Sequence, residues 1–148
     1  MLRFVCKPFA ALTVSELYDV LRLRQEVFIV EQNCVYLDAD GKDLKAHHLL
    51  GYHNNELAAY ARLLPKGGSY ANEASIGRVI TSAKYRRHGY GKELMREAVI
   101  QMQQLYGNGP IRIGAQAYLK NFYEGFGFVD LNEPYLEDGI PHLIMLRS

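Results

Sequence analysis

The sequence predicts an α/β fold of α+β type, with helices on both faces of a mixed, mostly antiparallel sheet. Three observations carry that expectation. The apolar run Ile76, Val79 and Ile80 feeds through Arg86-Arg87-His88-Gly89-Tyr90-Gly91 into Leu94, Met95, Ala98, Val99, Met102 and Leu105, which recur at helical spacing. A β-prone segment at 111–116 follows the break Gly107-Asn108-Gly109-Pro110, so strand, helix and strand make a βαβ unit with parallel outer strands. Upstream, residues 49–52 and 57–64 flank His53-Asn54-Asn55-Glu56, the pattern of an antiparallel hairpin.

In chain order, residues 1–11 contain Arg3, Lys7 and Pro8 and read as a first strand, without the charged and apolar regions of a secretion signal. Thr13-x-x-Glu16 has capping-box spacing. Helix one therefore starts near Val14, with Leu17, Val20, Leu21, Val27 and Phe28 as its apolar stripe. After the hairpin, Pro65-Lys66-Gly67-Gly68-Ser69 reads as a mobile loop. The βαβ unit comes next, then a short helix around Tyr123, then a last antiparallel pair at 128–131 and 142–146. No repeat, low-complexity tract or linker interrupts the 148 residues, and 49% hydrophobic content suffices for one domain spanning 1–148.

The turn before the long helix has the chemistry of a pyrophosphate cradle. Gly89 and Gly91 lack Cβ atoms, so backbone N–H groups there can converge on an anion. The unpaired amides and positive dipole end of the helix face the same point. Spacing narrows the guest. A Walker loop needs a glycine where Arg86 stands and a hydroxyl where Glu93 stands, so nothing would hold magnesium. A dinucleotide fingerprint needs a third glycine where Leu94 stands and an acid near the end of the 111–116 strand, where none lies.

What remains, Arg86-x-x-Gly89-x-Gly91, resembles the acetyl-CoA-binding motif of the GNAT acyltransferase superfamily. Tyr123-x-x-x-Gly127-Phe128 is similar to that superfamily's second motif, in which a short helix carries a tyrosine beside the cofactor sulfur. Arg24-x-x-Val27-Phe28-x-x-Glu31-Gln32-Asn33, Gly77-Arg78-Val79-Ile80, Gly114-Ala115-Gln116-Ala117 and Glu137-Asp138-Gly139-Ile140-Pro141-His142 resemble its ElaA-type branch. The resemblance implies a GNAT fold whose two central parallel strands splay apart. It implies that the pantetheine arm of acetyl-CoA pairs with the backbone of Val79, Ile80 and Thr81. The amides of Arg87, His88, Gly89, Tyr90, Gly91 and Lys92 would take the pyrophosphate, with Arg86 and Arg87 adding charge-assisted contacts. Gln116 stands where many members carry an asparagine that touches the cofactor arm, Leu119 replaces a common alanine, and Asn121 offers a substitute polar contact. The implied reaction is direct transfer of acetyl from acetyl-CoA to an amine within a ternary complex. Tyr123 is the implied general acid, its phenol protonating the departing thiolate.

GNAT members activate the amine with different carboxylates, with histidine or through water, so no motif names the base. Glu31, Asp38, Asp40, His48, Glu73 and His142 are candidates. No metal is expected. Asp38-Ala39-Asp40-Gly41 begins like a calcium loop, but Lys42 and Leu49 occupy later ligand positions. His47 and His48 point to opposite faces of a strand. Cys6 and Cys34 read as reduced small hydrophobes. Formal charge is +1, from 17 basic against 16 acidic residues, so no global field recruits nucleic acid or a membrane. With no long apolar run, the expected setting is soluble and cytoplasmic. Dimers are the commonest assembly for enzymes of this size, so a homodimer is the first oligomer to consider.

Arginines inside apolar patterns need partners. Arg24 lies on the stripe of helix one and reads as half of a structural ion pair; Arg78 lies inside a buried strand, where ion pairing and substrate recognition both remain open. Arg24, Phe28, Asp38, Asp40 and Arg62 also resemble the N-terminal pattern of acyl-homoserine lactone synthases, which share the GNAT architecture. That pattern supplies the alternative enzyme. A non-catalytic acyl-CoA-binding module is the alternative outside enzymes.

Overall fold

The computed structural model describes residues 1–148. One antiparallel sheet runs β1 (Arg3–Pro8), β2 (His47–His53), β3 (Glu56–Leu64), β4 (Ser75–Thr81) in that order. A second is ordered β5 (Ile111–Gln116), β7 (Ile140–Arg147), β6 (Phe128–Glu137). The sheets meet where β4 and β5 run parallel: Ala74 bridges Ile111, and the Arg112 N–H donates to the Ala74 carbonyl at 2.9 Å. No ladder continues beyond that bridge, so the strands splay.

Alternation along β2 and β3 sends side chains to two faces, and a helix covers each. On one face, α2 (Tyr90–Tyr106) buries Leu94, Met95, Ala98 and Met102 with Leu49, Ala61 and Leu63 of the sheet. On the other, α1 (Val14–Arg24) buries Val20 and Leu23 with Leu50, Tyr52, Tyr60 and Ile80. Thr13 and Glu16 exchange both capping-box hydrogen bonds, which fixes the start of α1. Asn54 takes the positive φ, 55°, that the β2–β3 turn requires.

Two boundaries differ from the sequence expectation. Helix one does not carry an α-helical stripe to Phe28. Beyond Arg24 the chain widens into a π-helix, Gln25–Glu31, in which the Gln32 and Cys34 N–H groups bond five residues back, to Val27 and Ile29. The wider winding brings Val27 into line with Val20 and Leu23, while Leu21 is only half-buried. The closing hairpin is also longer than 128–131 and 142–146. Asp138 (φ 52°) and Gly139 (φ 78°) form a two-residue turn between the paired Glu137 and Ile140, the left-handed geometry that twisted antiparallel strands favour. Asp138-Gly139 signals that turn directly. The 65–69 loop is tied by Gly68 N–H to Pro65 O at 2.9 Å and Gly67 N–H to Tyr70 O at 2.8 Å.

Candidate active site

The splay of β4 from β5 opens a cleft of about 540 Å³. Gly77 to Thr81 form one wall, Ile113, Gly114 and Gln116 the other, and Tyr123 lies between. β4 is bulged here: Tyr60 pairs with Ile80 and Arg62 with Gly77, so Arg78 and Val79 together oppose Ala61. Arg78 takes a left-handed φ of 50° at the bulge. The extra residue interrupts the β3–β4 ladder, while the splay leaves the opposite edge of β4 without a strand partner beyond Ala74. The bulge is not legible in the sequence, because Gly77-Arg78-Val79 fits a regular strand equally well.

An adjoining hollow of about 270 Å³ shares Thr81 and Arg86 with the cleft and is lined by Arg87, Gly89, Tyr90, Gly91 and Lys92. Arg87 (φ 70°) and Gly89 (φ 75°) are both left-handed, which curls the turn into a concave run of amides. Gly89 precedes α2 without any side-chain cap, and the first backbone bond of the helix is Glu93 N–H to Gly89 O at 3.2 Å. The Tyr90, Gly91 and Lys92 amides therefore lack intrahelical partners. A Cβ on Gly89 would meet nothing within 4 Å, so the space over it is open. These features fit a diphosphate. Tyr90 itself is buried, with its hydroxyl bonded to His53 Nδ1.

Each residue singled out above now has a place. Val79, Ile80, Thr81, Arg86 and Gln116 line the cleft with Tyr123. Arg86 is not a free cation: Glu31 binds its guanidinium with both oxygens. His88 and Asn121 are exposed and line neither hollow; the His88 ring stacks on Tyr90, and its Nδ1 faces the Tyr85 carbonyl at 2.9 Å. Tyr123, on α3 (Lys120–Glu124), is 6% exposed and packs edge-on to Phe122 and Phe128. Burial, and then neighbouring Tyr118, push its phenol well above the ordinary value.

Of the six candidate bases, only Glu31 and His142 reach the cleft. Glu73 is bound to Arg112 at 3.0 Å. His48 is 1% exposed, with Nε2 donating to Asp43 O at 2.9 Å and Nδ1 accepting from Tyr60 Oη at 2.6 Å. Asp38 and Asp40 belong with Asp43 to an ion cluster. Arg24 binds Asp38 and Asp43, each at 2.7 Å, and Arg62 binds Asp40 and Asp43 at 2.8 and 3.0 Å. Arg78 Nε lies 2.8 Å from Asp38 Oδ1, yet its N–H makes no well-aligned hydrogen bond there, so that contact is coulombic. Three arginines from three framework elements thus clasp three aspartates of one loop. The reading of Arg24 as structural holds, and Arg78 joins the same cluster.

A second depression of about 600 Å³ runs between α1 and residues 82–84. It is larger but contains neither splayed strand nor Tyr123.

Residues 25–147 match the family model described as an acetyltransferase (GNAT) domain. The chain belongs to the GNAT family. Within the GNAT family it is 47% identical to Protein ElaA of Escherichia coli (strain K12) over 139 residues, which covers 93% of this chain and 90% of that one. The crystal structure of E. coli ElaA matches with a TM-score of 0.92 at 43% identity, with full coverage of both chains. An acyl-CoA N-acyltransferase from Pseudomonas aeruginosa matches with a TM-score of 0.92 at 42% identity, covering 99% of each. The acyl-homoserine lactone synthase BjaI, at 15% identity and a TM-score of 0.81 over 99% of this chain and 82% of its own, shares the fold alone. GNAT proteins use acyl-CoA, and the cleft and amide turn are this chain's candidates to receive it.

Proposed function

We propose that the protein moves an acetyl group from acetyl-CoA to an amine by direct attack in a ternary complex, with residues 1–148 acting as one soluble cytoplasmic catalytic domain. The observation that carries this reading is the continuity of the amide-lined turn with a cleft whose wall is a strand edge open toward β5 and whose lining includes Tyr123. The diphosphate sits on the 87–92 amides, where neutral main-chain donors and the helix dipole meet its charge. The pantetheine arm runs along Val79 to Thr81 and brings the thioester beside Tyr123. The amine enters from the Phe28 and His142 end, and its lone pair adds to the carbonyl carbon. The tetrahedral adduct collapses, breaking the C–S bond while the Tyr123 hydroxyl donates to the leaving sulfur. Across the whole reaction the ammonium nitrogen loses two protons: one ends on coenzyme A, the other in solvent.

The direct test is an amine panel with acetyl-CoA, read by release of free thiol. Turnover with at least one amine class supports the reading. Tight acetyl-CoA binding with no product from any class would favour the binding module instead.

A further inference from the structure

We infer that His142 is the base that takes the proton from the acceptor ammonium; the inference rests on the amine-transfer reading above. Its tautomer is fixed by its surroundings. Nδ1 lies 2.7 Å from the Ile140 carbonyl, which can only accept, so Nδ1 carries the hydrogen. Nε2 is left with its lone pair, and His142 lines both the main cleft and a small hollow of about 50 Å³ that it shares with Phe28, Cys34, Tyr36 and Arg78. Glu137 Oε2 stands 3.5 Å from Nε2 and stabilises the imidazolium that forms when the proton arrives. The Tyr135 ring, 5.2 Å away, holds the imidazole from the β6 side. Glu31, the other acid of the cleft, already has both oxygens on Arg86. His142 therefore has a lone pair on Nε2, a carboxylate beside that atom to hold the proton it gains, and a place in a hollow that shares no residue with the amide turn.

The proton balance is simple. Nε2 takes one proton from the ammonium, freeing the lone pair for attack, and returns it to solvent after the product leaves. The second proton leaves the nitrogen as the adduct collapses and ends on the departing sulfur, which the Tyr123 hydroxyl hydrogen-bonds as charge builds there. Other titratable or charged groups face this ring: Glu137 and Tyr135 from β6, Asp138 from the turn, Arg78 from β4, and Cys34 and Tyr36 from the loop after the π-helix. A pH profile of one variant alone would mix their effects.

The test pairs His142→Gln with two acceptors: the best alkyl amine of the panel, and the matching alkoxyamine, which is unprotonated at neutral pH and needs no base. Expected is a loss of about a hundredfold in kcat for the alkyl amine at neutral pH, and a change below about threefold for the alkoxyamine. Acetyl-CoA affinity should not move. Equal loss for both acceptors, or no loss for either, overturns the role of His142 while leaving the transfer reading intact. Absence of turnover by the unaltered protein with every amine overturns the transfer reading and His142 with it. Imidazole nitrogen NMR gives a check free of turnover: a neutral His142 carrying its hydrogen on Nε2 contradicts the proposal.

Discussion

At the scale of single residues, the chemistry depends on what burial does to a phenol. Tyr123 is raised by desolvation first and by Tyr118 second, so it stays protonated at neutral pH and, in the proposed transfer, offers the thioester a donor. Held that high, it is a weaker acid than a free thiol of pKa about 8.5. Its value therefore lies in a hydrogen bond that strengthens as charge builds on sulfur, present more fully in the transition state than before it. Tyr123→Phe keeps the packing against Phe122 and Phe128 and removes only the donor. Steady-state kinetics should show kcat down about a hundredfold with acetyl-CoA binding unchanged, whereas a matching loss of binding would mark the hydroxyl as structural. Tyr123 was legible because it stands four residues before Gly127-Phe128. The fates of Asp38, Asp40 and Arg86 were not, because each is decided by a partner 14 or more positions away.

At the scale of elements, three local departures from regular structure shape the site: the π-helix at Gln25–Glu31, the bulge at Arg78, and the close approach at Gly114. The π-helix places Phe28 and Glu31 on the cleft wall and Val27 between wall and core. Periodicity located helix one but not its change of winding, since apolar spacing at 27 and 28 suits either. Gly114 has a packing reason invisible in sequence. A Cβ there would collide with Tyr135 Oη, so the Tyr135 ring of β6 reaches past β7 to β5 where that position is bare. Gly114→Ala should displace Tyr135, loosen the ring that holds His142, and lower stability by about 1–3 kcal/mol in urea melts. An alanine variant as stable and active as the parent would show that Tyr135 has room to yield.

At the scale of the whole molecule, the order of elements, the parallel β4 and β5 and the two covered faces follow from patterns already present in the chain. The polar layer that pins the loop carrying Asp38, Asp40 and Asp43 does not, and it sets the acid sensitivity. Burial alone would raise the Asp40 carboxyl, but Arg62 and Arg78 hold it at about 2; Asp43 is lowered by Arg24 and Arg62 against the same burial. Such carboxylates stabilise the fold above their unfolded value of about 3.9, and the contribution is lost as pH falls toward 2. His48 is lowered by burial, so its neutral form is favoured in the fold and acid below about pH 6.5 begins to work against it. Both effects have one sign: urea midpoints should fall on acidification from neutrality and most steeply between about pH 4 and 2. A flat profile across that range would mean the cluster contributes nothing. The proposed transfer rests on the amides around Gly89, where the left-handed turn leaves open space at the head of α2. Calorimetric titration of acetyl-CoA into the unaltered protein and into Gly89→Glu tests it without need of an acceptor. Saturable binding is expected from the first and none from the second, with the fold of both intact; equal binding by the two would overturn the cradle.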